Sequence, residues 1–259
     1  MITPFVQPEL SFIDVDGRRI AVRHRRAAPG QPTIMFLPGY ASDMDGIKAN
    51  AIDRFAAAAG LACLRMDYSG TGSSQGEFAA GTLDRWLDEV VAAVDELVEG
   101  PVVLVGSSMG GWVALLAALR RPQKVVALLG IAAAPDFTNW GYSADEKATL
   151  ARDGKLERRN PNGPEVSVTH GGFWQSGEGN RLLDAPIALA IRVRLIHGIE
   201  DRAVPVSVAL QLVDRLESPD VQLRLIKSGG HNLSEPPEID TILAELRQLV
   251  DLCLAYPTS

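Results

Sequence analysis

A chain of 259 residues with 46% apolar and 22% charged side chains has the composition of one globular α/β-sized domain with a large core. Its net charge is −7 with no basic run, which argues against nucleic acid and anionic membrane surfaces as partners, and no apolar run approaches the roughly 20 residues that span a bilayer. The start, Met1-Ile2-Thr3-Pro4-Phe5, has neither a charged leader region nor an apolar one, and Cys63 and Cys253 lack metal spacing; together they predict a cytoplasmic protein with reduced thiols.

In chain order, the first element is a hairpin: residues 11–15 and 19–25 alternate apolar and polar side chains around Asp16-Gly17. Residues 33–37 read as a buried strand stopped by Pro38-Gly39. Residues 61–66, 102–105 and 125–129 are short continuous apolar runs, as parallel strands covered on both faces should be. Leu83, Trp86, Leu87, Val90, Val91, Val94, Leu97 and Val98 recur at helical spacing and stripe an otherwise acidic helix. Two late strand-like runs, 193–197 and 221–227, precede a last helix striped by Ile239, Ile242, Leu243, Leu246, Leu249, Val250 and Cys253. A leading antiparallel hairpin followed by strand–helix units predicts an α/β fold: a mostly parallel, doubly wound sheet.

One stretch breaks the alternation. Residues 136–187 are polar and interrupted by Asn160-Pro161-Asn162-Gly163-Pro164, Gly171-Gly172 and Gly177-Glu178-Gly179. They are expected to form a small cap inserted into a core of residues 1–135 and 188–259.

The chemistry is announced by Gly106-Ser107-Ser108-Met109-Gly110, which falls between an apolar strand and an apolar helix. A serine on so tight a strand-to-helix turn has its hydroxyl lifted clear of the sheet edge, and the helix that follows aims its first N–H groups at developing negative charge. A serine hydroxyl needs a base, and the base needs an orienting acid, in the chain order Ser, Asp or Glu, His. Of the histidines His24, His170, His197 and His231, only His197 and His231 come late and after a strand-like run. His231 follows a Ser-Gly-Gly turn and is expected to be the base. Asp201, four residues past His197, is preferred over its neighbour Glu200 as the acid. His197 is expected to be structural. His24 lies in an early strand and His170 in a glycine-rich loop.

The oxyanion of an acyl transfer needs two donors. The backbone N–H of Met109, next after the nucleophile, is one. Tyr40 in the loop Leu37-Pro38-Gly39-Tyr40 is the other, since Pro38 has no N–H. Phe137, Trp140, Tyr142, Phe173 and Trp174 are candidates to line an acyl pocket, or else form a minicore of the cap. Gly70-Thr71-Gly72-Ser73-Ser74-Gln75-Gly76 has one residue too many for a dinucleotide loop. No phosphate loop or catalytic metal spacing is seen, so no cofactor and no metal are expected.

From the first hairpin to the last helix the chain resembles the α/β-hydrolases. Within them it resembles the mitochondrial palmitoyl-protein thioesterases, also described as mycophenolic acid acyl-glucuronide esterases, and their bacterial relatives. The resemblance is carried by Phe36-Leu37-Pro38-Gly39-Tyr40, Met66-Asp67-Tyr68-Ser69-Gly70 with Gly72-Ser73-Ser74, Val105 to Trp112, Arg121-Pro122 with Lys124 to Leu128, and Leu195-Ile196-His197-Gly198. Pro38 replaces the histidine common in the wider superfamily. The resemblance implies an α/β-hydrolase fold and Ser108, Asp201 and His231 as triad, and it covers the cap poorly. The expected function is a serine hydrolase that cleaves esters or thioesters through an acyl-enzyme, acting on small acyl substrates or an acylated protein. The alternatives are a carboxylesterase of small or xenobiotic acyl esters and a non-catalytic binding protein on the same fold. A dehalogenase or epoxide hydrolase would need aspartate at position 108.

Overall fold

The computed structural model describes residues 5–28, 30–159 and 166–255. Met1-Ile2-Thr3-Pro4 and the run Asn160-Pro161-Asn162-Gly163-Pro164 lie outside them. β1 (Leu10–Val15) and β2 (Arg18–Arg25) form the expected hairpin, and its turn uses positive φ at Asp16 (50°) and Gly17 (76°), the twist that joins antiparallel strands. β3 (Thr33–Leu37), α1 (Ile47–Ala59), β4 (Ala62–Met66), α2 (Leu83–Leu97), β5 (Val102–Ser107), α3 (Met109–Arg120) and β6 (Val125–Ile131) then alternate. The chain leaves this pattern for α4 (Phe137–Trp140), α5 (Ala144–Asp153), a hairpin of β7 (Lys155–Arg159) and β8 (Val166–His170), and α6 (Gly171–Gly179). It returns with β9 (Arg192–Gly198), α7 (Val206–Arg215), β10 (Val221–Ile226) and α8 (Pro236–Ala255).

The main sheet has the order β1-β2-β4-β3-β5-β6-β9-β10. β2 runs antiparallel to β1 and β4, and every other pairing is parallel. This is the α/β-hydrolase architecture. Side chains on a strand point to alternate faces, so each central strand feeds two cores. Met35, Leu37, Leu64, Val102, Leu104, Leu128, Val193 and Leu195 pack on the α2, α3 and α7 side. Ile34, Phe36, Cys63, Val103, Val105, Leu129 and Ile196 pack under α1 and α8. With both faces covered, the strands read as apolar runs, and all their C-terminal ends open on one edge.

The excursion between β6 and β9 is tied at its base. Asp136, in the left-handed region at φ 58°, accepts the N–H of Leu182 (2.8 and 3.0 Å) and of Leu183 (2.7 Å). One buried carboxylate thus joins the exit of the excursion to its return. β7 is exposed and reads KLERR, with no apolar alternation to announce a strand. His170 ends β8 and precedes α6, so it belongs to a strand end and not to a glycine-rich loop.

The close approach of α3 to β3 leaves no room at Gly110: an added Cβ would stand 2.1 Å from the Leu37 carbonyl oxygen. Backbone cannot give way there as a flexible side chain could. Gly110→Ala should therefore lower the unfolding free energy by about 2–3 kcal/mol, read as a reduced midpoint in urea. A midpoint equal to that of the parent would contradict this packing.

Candidate active site

Ser108 stands between β5 and α3 with φ 55° and ψ −120°. That conformation costs on the order of 1–3 kcal/mol for a non-glycine residue and persists only where the surroundings impose it. Here they do. Ser108 N–H donates to the Ile131 carbonyl (2.9 Å), and the Ser108 carbonyl accepts from Gly111 (2.9 Å) and Ala134 (3.1 Å). Gly106 must lack a side chain because a Cβ would lie 2.3 Å from the Gly110 oxygen.

Asp201 and His231 arrive from the ends of β9 and β10, which are adjacent and parallel. The Asp201 side chain is fully buried. Its Oδ1 accepts the N–H groups of Ala203 and Val204, each at 2.8 Å, and its Oδ2 lies 2.8 Å from His231 Nδ1. Burial alone would raise this carboxyl, but the hydrogen bonds from His231, Val204 and Ala203 outweigh it and hold the carboxyl below its ordinary range. A carboxylate can only accept, so Nδ1 carries the proton. The lone pair of Nε2 then faces Ser108 Oγ, 3.1 Å away. The structure thus brings Ser108, His231 and Asp201 into one hydrogen-bonded line.

Glu200 is exposed and outside that line. His197 is buried, and its Nε2 donates to the Val204 carbonyl (2.9 Å) while lying 3.5 Å from Asp201 Oδ2. It braces the same turn that Asp201 occupies. His24 is in β2, away from the edge.

Met109 is the first residue of α3, where a helix has no preceding turn to satisfy its N–H. The Gly39-Tyr40 backbone passes directly over the nucleophile: a Cβ at Gly39 would meet Ser108 Cβ and the Ser107 oxygen at 3.4 Å. Met109 is thus the next residue after Ser108, and Gly39, the neighbour of Tyr40, packs against Ser108. The Tyr40 ring sits in an aromatic cluster with Phe78, Trp86, Phe137 and Phe173, and its hydroxyl donates to the Val168 carbonyl of β8 (3.1 Å). That bond couples the loop over Ser108 to the excursion.

Two cavities meet at Ser108 and His231. One of about 160 Å³ lies under the excursion and is lined by Tyr40, Phe137, Trp140, Tyr142, Arg158 and Val204. The other, about 360 Å³, opens toward α1 and is lined by Ser42, Asp43, Lys48, Asn232 and Ser234. Phe137, Trp140 and Tyr142 thus reach a cavity. Phe173 and Trp174 line neither: Phe173 is buried against Tyr40, Trp86 and Phe137, and Trp174 Nε1 donates to the Thr138 carbonyl (3.2 Å). Lys48 had no sequence signal, since it is one charged residue in the first turn of an Ala-rich helix.

The comparisons with known proteins fit this geometry. Mouse palmitoyl-protein thioesterase ABHD10, mitochondrial, is 39% identical over 233 residues, which cover 88% of this chain and 78% of that one. The chain belongs to the ABHD10 family of α/β-hydrolases. A crystal structure of a putative hydrolase from Agrobacterium vitis S4 has 35% identity and a TM-score of 0.88 over 96% of this chain and all of the other. That of the α/β-hydrolase domain-containing protein 10 from mouse has 37% identity and a TM-score of 0.87 over 94% of this chain and 98% of that one. The family described as serine aminopeptidase, S33, matches residues 28–155, which include Ser108 but neither Asp201 nor His231.

The comparison corrects one expectation. A cytoplasmic location conflicts with the ABHD10 relatives, which are named as mitochondrial. The cysteines that carried the expectation are both buried and unpaired, and burial pushes the Cys63 thiol up to about 12. A buried thiol does not distinguish one compartment from another. No described helix is long and apolar enough to cross a membrane.

Asp201→Asn keeps the shape of the side chain but lets an amide donate toward Nδ1, which turns the imidazole to the wrong tautomer. The variant should fold and lose up to about 10⁴-fold in kcat. Glu200→Gln should change kcat by less than about twofold, because an exposed charge has a small effect. Steady-state kinetics of the two variants with one activated ester check this ranking, and the reverse order would move the acid by one position.

Proposed function

We propose that the chain hydrolyses carboxylic esters and thioesters by a serine acyl-enzyme mechanism. The observation that carries this reading is the hydrogen-bonded line from Asp201 through His231 to Ser108. Ser108 Oγ attacks the acyl carbon as His231 Nε2 takes its proton. The N–H groups of Met109 and Tyr40 hold the oxyanion. Asp201 keeps the proton on Nδ1 and stabilises the imidazolium. The imidazolium then protonates the leaving thiolate or alkoxide, and water enters by the same base to release the acid.

Residues 136–187 act as a cap on the core formed by 1–135 and 188–259. The cap supplies the aromatic wall, and the acyl group lies against Phe137, Trp140 and Tyr142. The relatives named palmitoyl-protein thioesterases support a thioester as substrate. A second reading, hydrolysis of short or aromatic acyl esters, is favoured by the size of that cavity. At about 160 Å³ it is close to the roughly 150 Å³ that accommodates a benzene.

Ser108→Ala should lower turnover by about 10⁴-fold or more without unfolding the chain, and should abolish labelling by a fluorophosphonate probe. Labelling that survives Ser108→Ala but is lost in Ser107→Ala would place the nucleophile elsewhere; a parent chain that never labels would be a binding protein.

Trp140→Ala should change the preference among p-nitrophenyl esters from acetyl to palmitoyl by about 1–3 kcal/mol in relative kcat/KM, as loss of a pocket wall does. Trp174→Ala should leave the ranking of chain lengths in place. An unchanged series in Trp140→Ala would remove the aromatic wall from acyl recognition.

A further inference from the structure

The cavity on the α1 side has chemistry that hydrolysis by Ser108 does not use. Lys48 Nζ is partly buried in its wall and donates to the Asn232 carbonyl and, at 3.4 Å, to Ser234 Oγ. An ammonium has three donors, so one is left for the cavity. Among the described residues no carboxylate forms an ion pair with Lys48; Glu238 acts on it only at longer range. The contrast is Arg158 in the other cavity, which is neutralised by Glu146 at 2.8 Å. Burial lowers the Lys48 ammonium from its ordinary range, and the field of Glu238 restores part of it. Lys48 is thus a partly desolvated cation without a close counter-charge, in a cavity that also contains the nucleophile and the base.

The two cavities differ in side chains. Phe137, Trp140 and Tyr142 line the one under the cap; in the other, Lys48, Ser42, Asn232 and Ser234 stand beside Phe36, Tyr40 and Ile47, so the free cation is what distinguishes it. An acyl chain gains most from the first, which leaves the second for the departing alcohol or thiol. Asp43 opposes an anion there, but it is exposed and already accepts the Asp45 N–H at 2.9 Å. The first turn of α1, which holds Lys48 and has no acidic residue, adds positive field in the same direction.

We propose that Lys48 selects substrates whose leaving group carries a negative charge, a carboxylate or a phosphate, by pairing with it in the cavity between α1 and the His231 loop. This rests on the hydrolase reading above. Lys48 takes no part in bond making; it is a specificity residue.

Two matched pairs of butyryl thioesters test it. The first pair is S-butyryl 3-mercaptopropionate and its neutral amide. The second is S-butyryl phosphopantetheine and neutral S-butyryl pantetheine. In the parent, kcat/KM for the anionic member should exceed that of the neutral one by about tenfold in at least one pair, the size of a hydrogen bond to a charged group. The pair that responds identifies carboxylate or phosphate. Lys48→Met should abolish that ratio, mainly through KM, and Lys48→Arg should keep most of it. Any loosening of the His231 loop in Lys48→Met slows both members of a pair alike and cancels in the ratio. A parent ratio near one in both pairs, or a ratio unchanged in Lys48→Met, overturns the proposal while neutral-thioester hydrolysis leaves the hydrolase reading standing. No hydrolysis of any of the four would overturn both.

Discussion

The site depends on one imposed backbone conformation, that of Ser108. Its φ of 55° and ψ of −120° would relax in a free chain. Three backbone hydrogen bonds to Ile131, Gly111 and Ala134, and the close passage of Gly106 past Gly110, prevent this. The strain is borne by the central strands, the most buried part of the fold. It is also local to one edge: among the described non-glycine residues with positive φ, Ala41, Ser108, Ala132, Asp136 and Leu233 all lie past the C-terminal ends of parallel strands, and Asp16 alone is elsewhere. The body of the sheet is relaxed, and the edge where chemistry is proposed is not.

A second constraint is electrostatic. Asp201 is buried but receives three hydrogen bonds, which outweigh burial and hold its carboxyl below the ordinary range. That carboxylate fixes the His231 tautomer. His197 braces the turn from behind through Val204. On the far side of His231, Lys48 ties the following loop at Asn232. The imidazole is therefore framed by two polar supports from β9 and α1, elements far apart in sequence.

Much of this was legible in the sequence because its signals are local. The Asp16-Gly17 turn, the apolar runs of β3 to β6, the stripe of α2 and the Gly-x-Ser-x-Gly turn each declare themselves within a few residues. The approach of Asp201 and His231 to Ser108 was legible through topology, since consecutive parallel strands end on one edge. What was not legible depends on contacts across the chain. β7 has no apolar alternation, because both its faces are largely exposed. α1 and α7 were not placed individually: their helical stripes are short and rich in alanine or valine. The aromatics of residues 136–187 divide between a cavity and buried packing, which spacing alone does not give. Lys48 and Asp136 act through partners 184 and 46 residues away.

The central claim is that an acyl group passes through a covalent bond to Ser108 Oγ. Rapid acid quench of the enzyme with p-nitrophenyl butyrate, followed by intact mass and peptide mapping, measures this directly. The account predicts one butyryl adduct per chain, located on the peptide that contains Ser108, formed at the rate of the p-nitrophenol burst and discharged in later turnover. Steady release of p-nitrophenol with no adduct, or an adduct on another residue, would contradict it.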